Sequence, residues 1–345
     1  MSSEAAMEEQ HRAYRPDDPE FYLQETGQLS PGAELASVLG AIVFSAGRLV
    51  ALNCLWAPVN RLYLLQCAEG GLVEGGRLPH GGFGGIQGCV HYILKKEGAL
   101  GFFRGGLTDT VLSMPAYLVR VTAVLCTLWL QQRLAAASWT AAVLLGVAAP
   151  GLRVLLTAPI AGAKNTLLCN YAADIVAPSG GAAAVNAEAK EEEAYLYCSA
   201  GEAAAAVRKC WGWKGILFRG LDVDIAAVYA QSLTLQLIGR FLAPSLDQLI
   251  GEQTQRPWRQ AAAAVTATIG VRFICSFLFQ PFQVIRVRMT LLTTRAKQKP
   301  RRSRWFWHYA RDMLHQDGIT AFWAGFRMRF LLDVASILFG TLVGY

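Results

Sequence analysis

Three long apolar stretches each carry a proline near one end, and a glycine-rich element follows every one of them. The prolines open the runs Pro58-Val59-Asn60-Arg61-Leu62-Tyr63, Pro159-Ile160-Ala161-Gly162-Ala163-Lys164 and Pro281-Phe282-Gln283-Val284-Ile285-Arg286. The downstream elements are Gly98-Ala99-Leu100-Gly101-Phe102-Phe103-Arg104-Gly105, Gly212-Trp213-Lys214-Gly215-Ile216-Leu217-Phe218-Arg219-Gly220 and Gly318-Ile319-Thr320-Ala321-Phe322-Trp323-Ala324-Gly325. Prolines lie 101 and 122 residues apart, and closing glycines 115 and 105 apart. Two linked motifs recurring at about 110 residues mark an internal repeat.

Stretches of this length and apolarity suit a bilayer. Six qualify, over residues 34–66, 107–133, 137–170, 221–249, 259–290 and 326–345. Each meets the requirement of about 20 mostly apolar residues for a membrane span. Several exceed it, which predicts tilt or kinks. The links alternate long, short, long, short, long, as expected for three helical hairpins in tandem. The predicted fold is an all-α membrane protein with six transmembrane helices.

Composition agrees. Hydrophobic residues make up 53% and charged residues 17% of the chain, and mean hydropathy is +0.30. Soluble domains carry about 25% charged residues. A disordered chain, a nucleic-acid-binding module and most soluble enzymes are excluded. The net charge of 32 − 25 = +7 reads as loop asymmetry. The eight cysteines show no C-x-x-C spacing, so buried thiols in a reducing compartment are expected. The five histidines show no Ser/His/Asp or metal-ligand spacing. No catalytic residue, metal or cofactor is expected. Residues 1–33 are polar, with seven acids against Arg12 and Arg15, and carry neither a secretory signal nor a transit-type helix. Any organelle signal is expected to be internal.

The repeated motifs resemble those of the mitochondrial carrier family, over residues 34–345. That family's signature is P-x-[DE]-x-x-[KR], followed by an EG pair and an aromatic-base-glycine element. The first repeat is most similar to the adenine-nucleotide carriers, in Ala57-Pro58-Val59-Asn60-Arg61-Leu62-Tyr63-Leu64-Leu65 and Lys96-Glu97-Gly98-Ala99-Leu100-Gly101-Phe102-Phe103-Arg104-Gly105, and the third also resembles them in Pro281-Phe282-Gln283-Val284-Ile285-Arg286-Val287-Arg288-Met289. The resemblance implies three repeats around a pseudo-threefold axis, each with a proline-containing helix, a short matrix helix and a second span. The repeats are expected at 34–133, 137–249 and 259–345. It also implies the mitochondrial inner membrane. Basic long loops then put both termini on the intermembrane side. The segment 291–326, with Arg301, Arg302 and Arg304 beside Trp305 and Trp307, reads as a matrix-side surface helix on anionic headgroups, not as a nucleic-acid site. Gly105, Gly220 and Gly325, with Arg104 and Arg219, are the positions implied for cardiolipin.

Departures from the family bear on function. The resemblance implies that the acid two residues after each proline pairs with a base of the next repeat and closes the matrix side. Here the acid positions hold Asn60, Ala161 and Gln283, and the base positions hold Tyr63, Lys164 and Arg286. This matrix gate is expected to be degenerate, with Asn60 and Gln283 left to accept hydrogen bonds from Lys164 and Arg286. The opposite gate lacks its aromatic-acid-x-x-base motifs as well. Substrate positions implied by the family are Arg120, Ala227 with Val228, and Asp333. Arg272 lies 11 residues before Gln283, which at about 100° per residue places it on the same helix face. A cavity holding Arg120, Arg272 and Arg153 would favour an anion.

Two functions follow from different classes. One is a structural or accessory subunit of an inner-membrane assembly such as a respiratory complex. The acidic tail and an insertion at about 175–200 would serve there as docking arms. The other is a divergent solute carrier exchanging an organic anion or a nucleotide. The expected partners are membrane lipids and other inner-membrane subunits.

Overall fold

The computed structural model describes residues 31–176, 195–242, 257–292 and 305–342. Most of the 1–33 tail and residues 177–194 of the expected insertion lie outside these. The described residues form nine α-helices and no strand. They are α1 (Pro31–Glu74), α2 (Ile86–Lys96), α3 (Gly106–Ala137), α4 (Trp139–Tyr171), α5 (Ala200–Phe218), α6 (Leu221–Leu237), α7 (Pro257–Thr290), α8 (Phe306–Asp317) and α9 (Phe326–Leu342). Short 3₁₀ turns precede α3 (Ala99–Phe103) and α9 (Ile319–Trp323), and α6 runs into one π turn at Ile238–Leu242. Among the described residues, those up to Arg48 fall in one unit and those from Leu49 in another, and every side-chain contact below lies within the second.

Three stretches among the described residues are long and apolar enough to cross a membrane: Ala99–Ala136, Trp139–Tyr171 and Ala262–Thr290. Of the other three expected stretches, 34–66 falls within α1, and the described parts of 221–249 and 326–345 fall on α6 with its π turn and on α9. Pro58, Pro159 and Pro281 all lie inside continuous helices. Each leaves one carbonyl of the preceding turn without its N–H partner. The α3–α4 link is the single residue Ser138, whose hydroxyl accepts from Ala141 N.

The repeat is visible in backbone angles. Gly98, Gly212 and Gly318 adopt φ of 74°, 69° and 78° with ψ near ±175°. Only glycine occupies that region readily. Arg104, Arg219 and Ala324 then share an extended conformation. Gly105, Gly220 and Gly325 follow with φ of 82°, 82° and 74° and open α3, α6 and α9. The second element is one residue longer, 212 to 220 against 98 to 105. Gly212 breaks α5, and the residues after it form a helical turn where the other repeats form a 3₁₀ turn.

These glycines also close the ring. A Cβ on Gly105 would fall 2.5 Å from Ala172 Cβ, just after α4. One on Gly220 would meet Arg286 Cγ of α7 at 3.4 Å. One on Gly325 would meet Cys67 and Tyr63 of α1 at 3.1 and 3.2 Å. The second helix of each repeat therefore abuts the proline helix of the next, and the third returns to the first. This is the pseudo-threefold arrangement expected from the sequence.

Burial is uneven along the spans. The main core draws on the proline-side ends of α1 (Leu62, Leu65, Leu72), α4 (Cys169) and α7 (Val284, Val287), with Ala173 and Leu291 just beyond α4 and α7, and is capped by Ile93 and Met313 of the short helices. Higher in α7, Phe273, Ile274, Phe277 and Leu278 are exposed, as suits a surface that meets lipid. The bundle is thus closed at its proline end. Gly105→Ala is expected to cost about 2 kcal/mol or more, combining a left-handed non-glycine residue with overpacking. Gly76→Ala, at φ 71° but with open space around it, should cost only the backbone part, about 1–2 kcal/mol. Thermal unfolding of the two variants side by side checks this.

Candidate functional site: the closed end of the helix ring

Each seam between repeats at the closed end is tied by a buried polar side chain that grips the backbone of the next repeat. At the first seam, Arg61 of α1 is 2% exposed. Its guanidinium donates to the carbonyls of Ala172 (3.0 Å) and Asp174 (3.1 Å), pairs with Glu97 at 2.5 Å, and also reaches the Gly101 carbonyl. At the second seam, Asn170 of α4 donates to Thr290 O at 2.8 Å and accepts from Leu292 N at 2.6 Å. At the third, Arg288 of α7 donates to Cys67 O at 3.2 Å and pairs with Asp317. Gly70 has no side chain because that guanidinium lies where its Cβ would be. Gln280, 1% exposed, adds a second tie there through Tyr63, Cys67 and the Ala324 carbonyl.

Further contacts reinforce the first seam. Asp174 pairs with Arg77 (3.3 Å) and Arg104 (3.2 Å) and accepts from Tyr197 N at 3.0 Å. Burial pushes its carboxyl above the usual range, against the pull of the Tyr197 N–H and the two arginines. Tyr92 donates to Val176 O, and Val176 N donates to Glu97.

Residues 253–342 match the family described as mitochondrial carrier protein. That match covers the third of the three repeats, so this part of the chain is similar to that family. No curated protein matches it.

Against the family pattern, the gate positions are rearranged. Lys164 and Arg286 were expected to turn to Asn60 and Gln283. Instead, Lys164 pairs with Asp109 at 2.9 Å and donates to Ser113 at 2.6 Å, and Arg286 pairs with Asp224 at 3.2 Å. Both aspartates lie in the first turn of the helix that a closing glycine opens, α3 or α6. So the expectation that these bases face only neutral partners is corrected. Tyr63 donates to Gln280 Oε1 at 3.3 Å. Asn60, Ala161 and Gln283 are half-buried, and among the described residues no hydrogen bond joins them to either base. The signal for the missed carboxylates was an acid four residues after the closing glycine, at 109 and 224.

Among the described residues, no hydrogen bond or ion pair joins the implied substrate residues to one another. Arg120 and Arg272 are exposed, and Ala227 and Val228 are half-buried. Asp333 is occupied, accepting from Ser276 and pairing with Arg329 at 3.4 Å. Arg153 donates to Thr127 at 2.7 Å between α4 and α3, so it braces the hairpin instead of lining a site.

The glycines implied for cardiolipin do open helices, but the arginines beside them turn inward. The Arg104 guanidinium sits 3.5 Å from the Tyr195 ring centroid and 4.5 Å from that of Tyr171, and donates to Tyr171 O at 3.1 Å. Arg219 lies 3.5 Å over the Trp211 ring and donates to Met289 O. Burial lowers its pKa to about 10, still charged at neutral pH. Both guanidinium groups fasten seams and are not free for lipid phosphate.

Arg61→Met removes the charge and leaves the buried Glu97 carboxylate unpaired. It should cost about 3–5 kcal/mol. The double variant Arg61→Met with Glu97→Gln should recover part of that. Arg120→Ala, at an exposed site, should change stability by less than about 0.5 kcal/mol. Denaturation in detergent micelles checks all three.

Proposed function

We propose that this carrier-fold protein is held shut at its proline end and serves as a structural or accessory subunit of an inner-membrane assembly, such as a respiratory complex. The observation that carries this reading is the set of buried grips by Arg61, Asn170 and Arg288 on the backbone of the next repeat. Alternating access needs two states separated by only a few kcal/mol. An ion pair between two partly wetted side chains meets that need, because each partner regains water on parting. A buried guanidinium on a carbonyl does not. Hydrogen bonds to a charged group contribute about 1.5–3 kcal/mol each, and parting leaves buried groups unsatisfied. One such grip per seam makes the opened state rare.

In this reading the basic long loops face the matrix and the termini face the intermembrane space. The N-termini of α3, α6 and α9 sit at headgroup level and favour anionic lipid such as cardiolipin through their free N–H groups. The 1–33 tail and the 175–200 insertion are the docking arms for partner subunits.

A second reading has its own support. Arg120 and Arg272 are exposed cations on α3 and α7, and costly charges within spans commonly mark a solute path. Exchange of an organic anion or nucleotide is that alternative. Two measurements separate the readings. Extraction of the protein in mild detergent should recover it in a particle of several hundred kilodaltons with stoichiometric partners. Proteoliposomes of the purified chain should show no uptake of adenine nucleotide or dicarboxylate above protein-free vesicles. A lone particle together with saturable uptake, lost in Arg120→Ala, would overturn the structural reading.

A further inference from the structure

Three pairs of positions are equivalent around the ring. Lys164, Arg286 and Tyr63 each lie five residues after the repeat's proline. Asp109, Asp224 and Arg329 each lie four residues after a closing glycine. The backbone confirms the second set, since each N–H donates to its own glycine carbonyl, at 2.8, 3.0 and 3.0 Å. The glycine contacts place Asp109 with Lys164 at the first seam, Asp224 with Arg286 at the second, and Arg329 with Tyr63 at the third.

Two seams carry an ion pair at this level. Lys164 Nζ meets Asp109 Oδ1 at 2.9 Å, and Ser113 bridges them, accepting from Lys164 at 2.6 Å and donating to Asp109 at 3.2 Å. Arg286 meets Asp224 at 3.2 Å. All four side chains are 20–27% exposed, far more than the grips below them. The third seam holds a phenol and a cation, which cannot pair as ions. Tyr63 instead donates to Gln280, and Arg329 turns along its own helix to Asp333.

We propose that the closed end is latched by an ion-pair ring carried on the second-span helices, with Asp109 clamping Lys164 and Asp224 clamping Arg286, and that the seam between the third and first repeats is the unlatched one. The carboxylate half of the gate has moved from the proline helix of one repeat to the following span, where it still faces the proline helix of the next repeat. Charge is conserved at two seams while the motif that normally reports it is lost. The three repeats are fastened in series, and the ring closes on a seam without an ion pair across it at this level. This concerns the same end of the bundle as the structural-subunit reading but stands whether or not the protein transports.

The test is thermal unfolding of the full-length chain, purified in mild detergent with added lipid. Asp109→Lys, Lys164→Asp, Asp224→Arg and Arg286→Asp should each lower Tm by about 2–4 °C or more. The exchanged doubles Asp109→Lys with Lys164→Asp, and Asp224→Arg with Arg286→Asp, should recover at least half of the summed loss. Arg329→Gln should leave Tm within about 1 °C, because its partner lies on its own helix. Doubles as unstable as the sum of the singles would overturn the latch. An Arg329→Gln loss equal to that of Asp109→Asn would overturn the unlatched third seam. If a reversal prevents folding, the cycle of Asp109→Asn and Lys164→Gln decides: non-additive losses support the latch, and additive losses overturn it.

Discussion

The buried guanidinium of Arg61 is the interaction on which the rest depends. It sits where the first repeat meets the second and holds one carboxylate and three backbone carbonyls at once. Those carbonyls belong to the turn before α3 and to the chain just after α4. Fixing them sets where α3 starts and where the second repeat leaves the bundle. The short helix α2 is fixed by the same contact, because Glu97 stands at its C-terminal end. A buried charge is tolerated only when its hydrogen bonds are made. One side chain thereby specifies the relative placement of four segments.

Arg288 plays a related part at the third seam, and the two are not at equivalent positions. Arg61 follows its proline by three residues and Arg288 by seven, while Asn170 follows Pro159 by eleven. Each seam has found its own polar grip within a common backbone. The apolar core beneath does not discriminate in this way, since Leu65, Ile93, Cys169 and Val284 would pack in several registers. Polar grips that reach named carbonyls add the register. The more exposed pairs above them, Lys164 with Asp109 and Arg286 with Asp224, lie where side chains still touch solvent and contribute less each.

Much of this was legible in the sequence. Helix bounds follow the apolar stretches closely, 107–133 against Gly106–Ala137 and 259–290 against Pro257–Thr290. The closing glycines mark helix starts because a positive φ there is cheap only for glycine. What escaped was pairing across the seams. Asp109 and Asp224 read locally as first-turn acids that complement a helix N-terminus. Nothing local says that the proline helix of the next repeat brings a cation to them. Arg104 and Arg219 failed for the same reason. The runs Phe103-Arg104-Gly105 and Phe218-Arg219-Gly220 do not reveal that Tyr195 or Trp211 lies over the guanidinium. The contacts across seams, such as Asp109 with Lys164, Asp224 with Arg286, Arg104 with Tyr195 and Arg219 with the Met289 carbonyl, join residues far apart in the chain, and even Trp211, close to Arg219 in sequence, is brought over it only by the break at Gly212; local periodicity encodes none of these.

A closed end that is a fixed part of the fold differs from a gate in whether water ever reaches it. Native cysteines report on this directly. Cys67 and Cys169 lie in the core at the closed end, at 0% and 4% exposure, while Cys198 and Cys210 are exposed. The most direct measurement is site-resolved thiol labelling of the native protein in lipid vesicles with a small, membrane-permeant alkylating reagent. The account predicts that Cys198 and Cys210 react quickly while Cys67 and Cys169 stay unmodified until denaturant is added. Modification of Cys67 or Cys169 in the folded protein, at a rate within about tenfold of the exposed pair, would show that the end opens and would contradict a permanent seal.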